Sequence, residues 1–277
     1  MFEPYLAQWN LTPDGDPIVT HSGRLLPVRH GGVAAMLKLA NDEDERFGGA
    51  VMEWWDGDGA ARVLARDDHA LLLERAQGTA SLAEMARNGH DDEAARILCA
   101  VAARLHAPRG KPLPELVTLP HWFRDLAPGA VRHAGVRDGI LGHCARVAGE
   151  LLAAQGEIPS ETVVLHGDLH HGNVLDFGAR GWLAIDPKRL IGDRAFDYAN
   201  IFTNPDLDDP TRPVATTPGC FERRLELVCE ASGIERHVLL RWIFAWTGLS
   251  AVWYLDDGDP AAVDLFIAER AAAALGR

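Results

Sequence analysis

The chain is poor in cysteine and shows no pattern in the little it has. Its four cysteines, Cys99, Cys144, Cys220 and Cys229, are scattered and form no Cys-x-x-Cys pair. That excludes a disulfide scaffold or a zinc ribbon and fits a reducing compartment. Positive charge is also short. With 27 Lys and Arg against 40 Asp and Glu, the formal net charge is −13 and the pI is near 5.3. Nucleic acid is therefore an unsuitable main partner. Met1-Phe-Glu-Pro-Tyr5 has neither a basic n-region nor an apolar h-region, so no signal peptide is expected. No uncharged apolar run is long enough to cross a bilayer, so no membrane partner is expected either, and the expected location is the cytoplasm. A glycine-rich Gly-x-Gly-x-x-Gly string and a Walker A sequence are missing as well.

What is present suits an ordinary globular protein. At 277 residues the chain can bury a sizeable core, as one large domain or two smaller ones. Hydrophobic residues make up 47% and charged residues 24%, within the usual range. An acidic surface steers cationic small molecules inward. It opposes a nucleotide polyphosphate, whose phosphates would need a local basic group and a metal. Solubility alone is an equally good reason for the acidity.

One stretch organises the rest. The apolar run Val163 to Leu165 stops at His166-Gly167-Asp168, and after a polar loop Asn173 opens a second run. Val174 to Phe177, a turn over 178–181, and Trp182 to Ile185 read as a hairpin leading to Asp186. Equal arms predict that Asn173 and Asp186 face each other at its base, with Asp168 one loop away. An amide oxygen beside a carboxylate suits magnesium, which takes oxygen ligands and keeps several waters. A second carboxylate just outside can orient a hydroxyl and accept its proton. A metal-free polar loop with Asp168 capping a turn is the plain alternative. Zinc on Asp168, His170 and His171 fits poorly, because no spaced His or Cys partner is near.

His166-Gly-Asp168-Leu-His-His-Gly-Asn173 has the layout of the kinase catalytic loop, with Gly167 where protein kinases carry Arg. Together with Gly181-Trp-Leu-Ala-Ile-Asp-Pro187, it resembles the aminoglycoside phosphotransferase superfamily. Within that superfamily, the strings look most like the streptomycin 6-phosphotransferase and hydroxyurea phosphotransferase branch. The resemblance covers most of the chain and implies an α+β, protein-kinase-like, two-lobed fold. An antiparallel-sheet N-lobe over 1–77 would sit on a mostly helical C-lobe over 78–277, with the site in the cleft.

Residues 1–16 read as an arm and a turn. From Pro17 to Ala40, three β-type runs separated by Ser22-Gly23 and Gly31-Gly32 read as a meander. The resemblance makes Ser22, Gly23 and Arg24 the loop over the ATP phosphates; an ordinary hairpin turn explains them equally well. Lys38, between Leu37 and Leu39, would contact the α- and β-phosphates, unless it is a solvated lysine on a polar strand face. A helix from Asn41 to Trp55 follows, with Asn41 as N-cap and an acidic first turn. Glu45 is the chosen partner for Lys38, with Glu43 and Glu53 as alternatives. Gly48-Gly49 lowers helix propensity there. Two further strands over 61–65 and 70–76 lead to Gln77-Gly78-Thr79, a linker. The resemblance makes Glu74 to Ala76 the hinge whose backbone meets adenine.

Ser81-x-x-Glu84 is a capping box. Helices are expected from Ala94 to His106, opened by Asp91-Asp-Glu93, over about 137–154, from Phe221 to Ala231, and from Arg236 to Tyr254. In the family an Asp at position 197 braces the catalytic loop; a surface helix acid is the plain alternative. Trp242, Trp246, Leu249 and Trp253 share one helix face, which reads as core or as the wall of a sugar pocket. Asp256, Asp257 and Asp259 read as a solvated acidic turn or as receivers of an antibiotic's cationic groups.

The resemblance implies ATP- and magnesium-dependent phosphoryl transfer to a small-molecule hydroxyl. Asp168 would act as the catalytic base, Asn173 and Asp186 would hold Mg2+, and Lys38 and Glu45 would serve the nucleotide. The implied acceptor is a cationic aminoglycoside, streptomycin at its 6-hydroxyl. A metabolic kinase on a sugar, fructosamine or amino alcohol is a second reading. A non-catalytic nucleotide-binding regulator is a third, opposed by the intact set of Lys38, Asp168, Asn173 and Asp186.

Overall fold

The computed structural model describes residues 1–20, 23–40, 43–154 and 162–276, with side chains for all of these except 40 and 43–47. The first residues hold a short helix, α1 (Glu3–Gln8), where an arm and a turn were expected. Pro4 sits in its first turn, where a missing N–H breaks no intrahelical bond. The strands that follow are β1 (Leu11–Pro13), β2 (Ile18–Val19), β3 (Gly23–His30) and β4 (Val33–Ala40). Helix α2 (Glu43–Trp55) then precedes β5 (Val63–Arg66) and β6 (Ala70–Glu74). All pair antiparallel, in the order β1-β3-β4-β6-β5, with β2 on the outer edge of β3.

Period-two alternation along β4 decides where its lysine goes. Ala35 and Leu37 face a core with Phe2, Leu11, Leu26 and Leu72. Lys38 therefore faces the other way, beside its cross-strand partner Leu71, whose own cluster holds Met52 of α2. Lys38 is only 4% exposed, which rules out the solvated-strand reading.

The glycine pair in α2 has a structural reason. A Cβ on Gly48 would lie 2.6 Å from the carbonyl oxygen of Pro187. Only glycine lets the helix backbone close on the corner that carries Asp186. Alanine is the better helix former by about 1 kcal/mol. Gly48→Ala is nevertheless expected to lower stability by about 1–3 kcal/mol, the usual cost of overpacking. It should also weaken ATP binding, because α2 must move off Asp186-Pro187. Urea unfolding and a nucleotide titration check this; a variant stabilised by its new alanine would refute the close-approach argument.

The rest is mostly helical. Helices α3 (Leu82–Met85) and α4 (Asp91–Leu105) come first. Strand β7 (Val117–Thr118) runs into α5 (Leu119–Trp122), and α6 (Leu126–Arg132) and α7 (Ile140–Ala154) follow. Strands β8 (Thr162–Leu165), β9 (Val174–Asp176), β10 (Trp182–Ala184) and β11 (Leu190–Asp193) carry the functional loops. A 3-10 stretch (Arg194–Phe202) precedes α8 (Cys220–Ser232), α9 (Arg236–Asp256) and α10 (Ala262–Ala274). One large core binds α4, α7, α8, α9 and α10. Helix α9 is long and apolar enough to span a membrane by length and composition, but 72% of that window is buried inside the protein. It is the central core helix of this lobe.

The linker is tied down from the helical side. Gly78 N–H donates to the Asp176 carbonyl at 3.0 Å, and Ser81 bridges to Leu175. A Cβ on Gly78 would overlap the Asp176 carboxylate at 1.9 Å, so any other residue there would have to displace that side chain.

Candidate active site

Strand β8, held antiparallel to β11, delivers the chain to His166. The loop beyond it is braced from beneath by Asp197, which is 1% exposed. His166 N–H and Gly167 N–H donate to Asp197 Oδ2 and Oδ1 at 2.8 and 2.7 Å, and His106 Nε2 meets Oδ2 at 2.7 Å. Three donors on a buried carboxylate make a stiff support. Asp197 therefore does what the resemblance implied and is no surface acid.

His166 is fully buried and stacks on Trp55. Its Nε2 lies 2.8 Å from the Ile185 carbonyl, and its Nδ1 accepts from Asp168 N–H at 3.2 Å. An accepting Nδ1 must be bare, so the single proton sits on Nε2. Burial pushes the imidazole pKa down, against the pull of Asp197 and Asp168, which keeps it neutral. This ring ties the residue before Asp186 to the backbone of Asp168.

The β9–β10 hairpin forms with a register one residue off the expected one. Phe177 N–H donates to the Gly181 carbonyl, so a three-residue 3-10 turn (Gly178–Arg180) closes it. Asn173 then lies opposite Ile185, whose N–H donates to the Asn173 carbonyl at 2.9 Å. Asp186 sits one residue further on, with φ +58°. That left-handed turn takes it out of the strand direction, a strained conformation that Asp tolerates better than most residues.

Asn173 Nδ2 donates to the Asp168 carbonyl at 2.9 Å and to Asp168 Oδ2 at 3.2 Å. Its amide oxygen is thus turned away from Asp168. Asp186 Oδ1 lies 2.8 Å from Lys38 Nζ. Lys38 therefore meets an acid from the other lobe. The side chains of Glu45 and Glu43 lie outside the described residues. The third alternative, Glu53, pairs with Arg66 instead, at 2.9 Å. Among the described residues no three His, Cys, Asp or Glu side chains cluster to hold a metal. The pair Asn173 and Asp186 fits a hard cation that draws its other ligands from water and phosphate. The loop histidines do not form a zinc site. His170 Nδ1 accepts from Gly172 N–H, while His171 is 2% exposed, neither of its ring nitrogens has a partner among the described residues, and burial drives its pKa well down.

The remaining expected nucleotide residues lie at the sheet margin. Gly23 and Arg24 start β3, opposite Ala40 and Leu39. Ser22 falls outside the described residues. Glu74 ends β6, where its carboxylate accepts from Arg62 N–H and pairs with Arg180. Ala76 follows in the linker, partly buried.

Asp168 opens on the other side into a cavity of about 540 Å3. Its side chain is 29% exposed, so a substrate hydroxyl can reach it. Partial burial opposes its ionisation. His170, Lys188 and His166 nearby, with a hydrogen bond from Asn200, outweigh that and hold its pKa below the usual value. Asn200 Nδ2 donates to Asp168 Oδ1 at 2.7 Å. Indole rings line the cavity: Trp122 and Trp246 each pack edge-on against Trp253 at 5.4 and 5.8 Å. The buried Nε1–H groups of Trp122 and Trp246 have no hydrogen-bond partner among the described residues. Unmet donors in the cavity that holds the Asp168 carboxylate suit a ligand rich in hydroxyl oxygens. The tryptophan stripe of α9 thus divides: Trp242 and Leu249 are core, while Trp246 and Trp253 face the cavity.

Sequence reasoning missed Asn200 and Lys188. Asn200 had a readable signal, because it follows Asp197 by three. On a 3-10 turn, residues three apart stack on one side, so both side chains reach the catalytic loop. Asp256, offered for a ligand's cationic groups, is already held by Arg132 and His133.

The comparisons agree with this geometry. A family model described as aminoglycoside/hydroxyurea antibiotic resistance kinase matches residues 8–258. A streptomycin 3''-kinase from Klebsiella pneumoniae is 54% identical over 95% of this chain and 97% of its own. A streptomycin 6-kinase from Streptomyces glaucescens is 33% identical over 96% and 87%. Among solved structures, a thermostable mutant of an aminoglycoside phosphotransferase, in ternary complex with AMP-PNP and hygromycin B, superposes with a TM-score of 0.68. It is 16% identical and the match covers 99% of both chains, which shows the two-lobed kinase-like fold. With the catalytic loop, the hairpin and this coverage together, the chain belongs to the aminoglycoside/hydroxyurea antibiotic resistance kinase family.

Proposed function

We propose that this protein transfers the γ-phosphoryl group of ATP to a hydroxyl of a streptomycin-type aminoglycoside, and that the 3''-hydroxyl is the acceptor. The 54% identical relative is named for that position, and the 33% identical one for position 6. This moves the acceptor from the 6-hydroxyl that the motifs suggested. The observation that carries the reading is Asp168 itself. It is bonded to Asn173 on the nucleotide side and opens on the tryptophan-lined cavity on the other.

Asp168 orients the acceptor hydroxyl and takes its proton late in a loose transition state. Asn200 and Asn173 fix the carboxylate, and His166 fixes its backbone. Lys38 neutralises charge on the α- and β-phosphates, with Glu45 as its second partner. Ser22, Gly23 and Arg24 cover the phosphates, and the backbone from Glu74 to Ala76 meets adenine. Asn173 and Asp186 would hold magnesium, which supplies charge neutralisation on the phosphate oxygens. Alignment and electrostatics do most of the work. The lobes divide at 77/78. A cytoplasmic location belongs to the same reading, supported by the four free thiols and the need for ATP.

Purified protein with ATP and magnesium should phosphorylate streptomycin, and NMR of the product should show phosphate on the 3''-oxygen. Phosphate on the 6-oxygen would overturn the position, and turnover with sugars or hydroxyurea but not streptomycin would overturn the acceptor class.

A further inference from the structure

A second, smaller cavity of about 220 Å3 adjoins the first, sharing Leu207 and Tyr254 with it. Three carboxylates border it, and their states differ. Asp206 is saturated: the N–H groups of Val214, Ala215 and Thr216 and the Thr216 hydroxyl all donate to it. Asp259 is exposed to solvent. Asp264, in the first turn of α10, is 0% exposed, and neither of its oxygens has a hydrogen-bond partner among the described residues. Ser250 of α9, which lines the larger cavity, comes near enough to temper the effect of burial but does not satisfy the carboxylate.

A buried carboxylate without partners is costly and needs an explanation. Burial raises the Asp264 pKa to about 7, above that of the unfolded chain. The native state therefore loses stability as pH rises from about 4 through 7. A cation supplied from outside would remove that cost. Both oxygens are unmet, so the complementary group is a planar fork of two N–H donors, which an ammonium cannot offer. Tyr254 lines both cavities and feels Asp264, Asp168, Asp259 and Asp208 together. The wall the two cavities share is aromatic and lies among carboxylates, a favourable surface for a cation.

We infer that the Asp264 cavity is a guanidinium subsite, which seats a guanidino substituent of the acceptor while its hydroxyl lies at Asp168. This rests on the aminoglycoside reading above. It makes the enzyme selective for guanidino-bearing acceptors over those carrying only amines.

The test is a binding titration, read by tryptophan fluorescence, with two probes. One is streptomycin; the other is the same antibiotic with its guanidino groups converted to neutral ureas. Wild type is expected to bind streptomycin at least about 30-fold more tightly, as befits a charge-assisted bidentate contact. Asp264→Asn should remove most of that preference. Val263→Phe, which fills the cavity from its wall, should do the same without touching the carboxylate. Asp264→Asn should melt no lower than wild type at pH 8, where the wild-type charge is present, so lost binding would not reflect lost folding. Equal affinity of wild type for both probes, no binding of either, or an unchanged preference in Asp264→Asn would overturn the subsite. Phosphorylation is measured separately in the same samples. Preferential binding without turnover would count against the acceptor assignment and leave the subsite supported.

Discussion

Alanine at position 168 is expected to lower kcat by on the order of 10²–10⁴-fold, the usual worth of a positioned base. The ATP dissociation constant should stay close to the wild-type value. The reason lies in Asn173, which also donates to the main-chain carbonyl of residue 168 at 2.9 Å. That bond survives the substitution and keeps the Asn173 amide oxygen turned away from residue 168. The neighbouring Asn200 loses its carboxylate partner but sits on a stretch anchored through Asp197. Asp168→Asn should be about as damaging, because an amide is no base and presents a donor to one of Asn200 and Asn173 where both need an acceptor. Steady-state kinetics and calorimetry with a non-hydrolysable nucleotide separate the two quantities. Turnover near the wild-type rate in Asp168→Ala would remove the catalytic assignment.

Asp186→Ala is expected to fail at a different step. In the proposed site its carboxylate would be a charged oxygen ligand for magnesium, and it meets Lys38 across the cleft at 2.8 Å. Removing it should abolish the tightening of ATP binding by magnesium, a loss on the order of 10²-fold or more for a directly ligating group. Lys38, 4% exposed, would also lose one charge partner in the nucleotide-free state. Some loss of thermal stability should accompany the binding defect, and Asp186→Asn, which keeps the shape, should show less of it. Nucleotide titrations with and without magnesium read this out. An unchanged magnesium dependence would mean that the metal is held elsewhere.

The two variants separate the nucleotide side of the site from the acceptor side, and the architecture explains why they can. Asn173 and Asp186 hang from one hairpin, whereas Asp168 and Asn200 are set by the loop after β8 and by the 3-10 stretch. Glycine at 48 and at 78 lets α2 and the linker press against that same hairpin from two directions. The tolerance for change at those positions should be correspondingly low.

The linear sequence determined a good deal by itself. A polar loop between two apolar runs, followed by a short hairpin, was enough to bring Asp168, Asn173 and Asp186 into one neighbourhood, because strand spacing and turn length leave little freedom. Alternation in β4 was enough to bury either Lys38 or its neighbours. Three things only the tertiary structure decided. The hairpin register shifted by one, since the 3-10 turn closes over three residues and leaves Gly181, expected in the turn, to pair with Phe177. Asn200, three residues after Asp197, was seen to share its task only once the segment proved to be a 3-10 stretch, a pitch that apolar periodicity does not reveal. The acidic groups near the C-terminus were sorted by packing. Asp256 found Arg132, while Asp264 was buried by α9 with no partner. Local patterns specify which groups a segment carries and which face they take; whether a charge is matched, solvated or left waiting depends on what other segments bring against it.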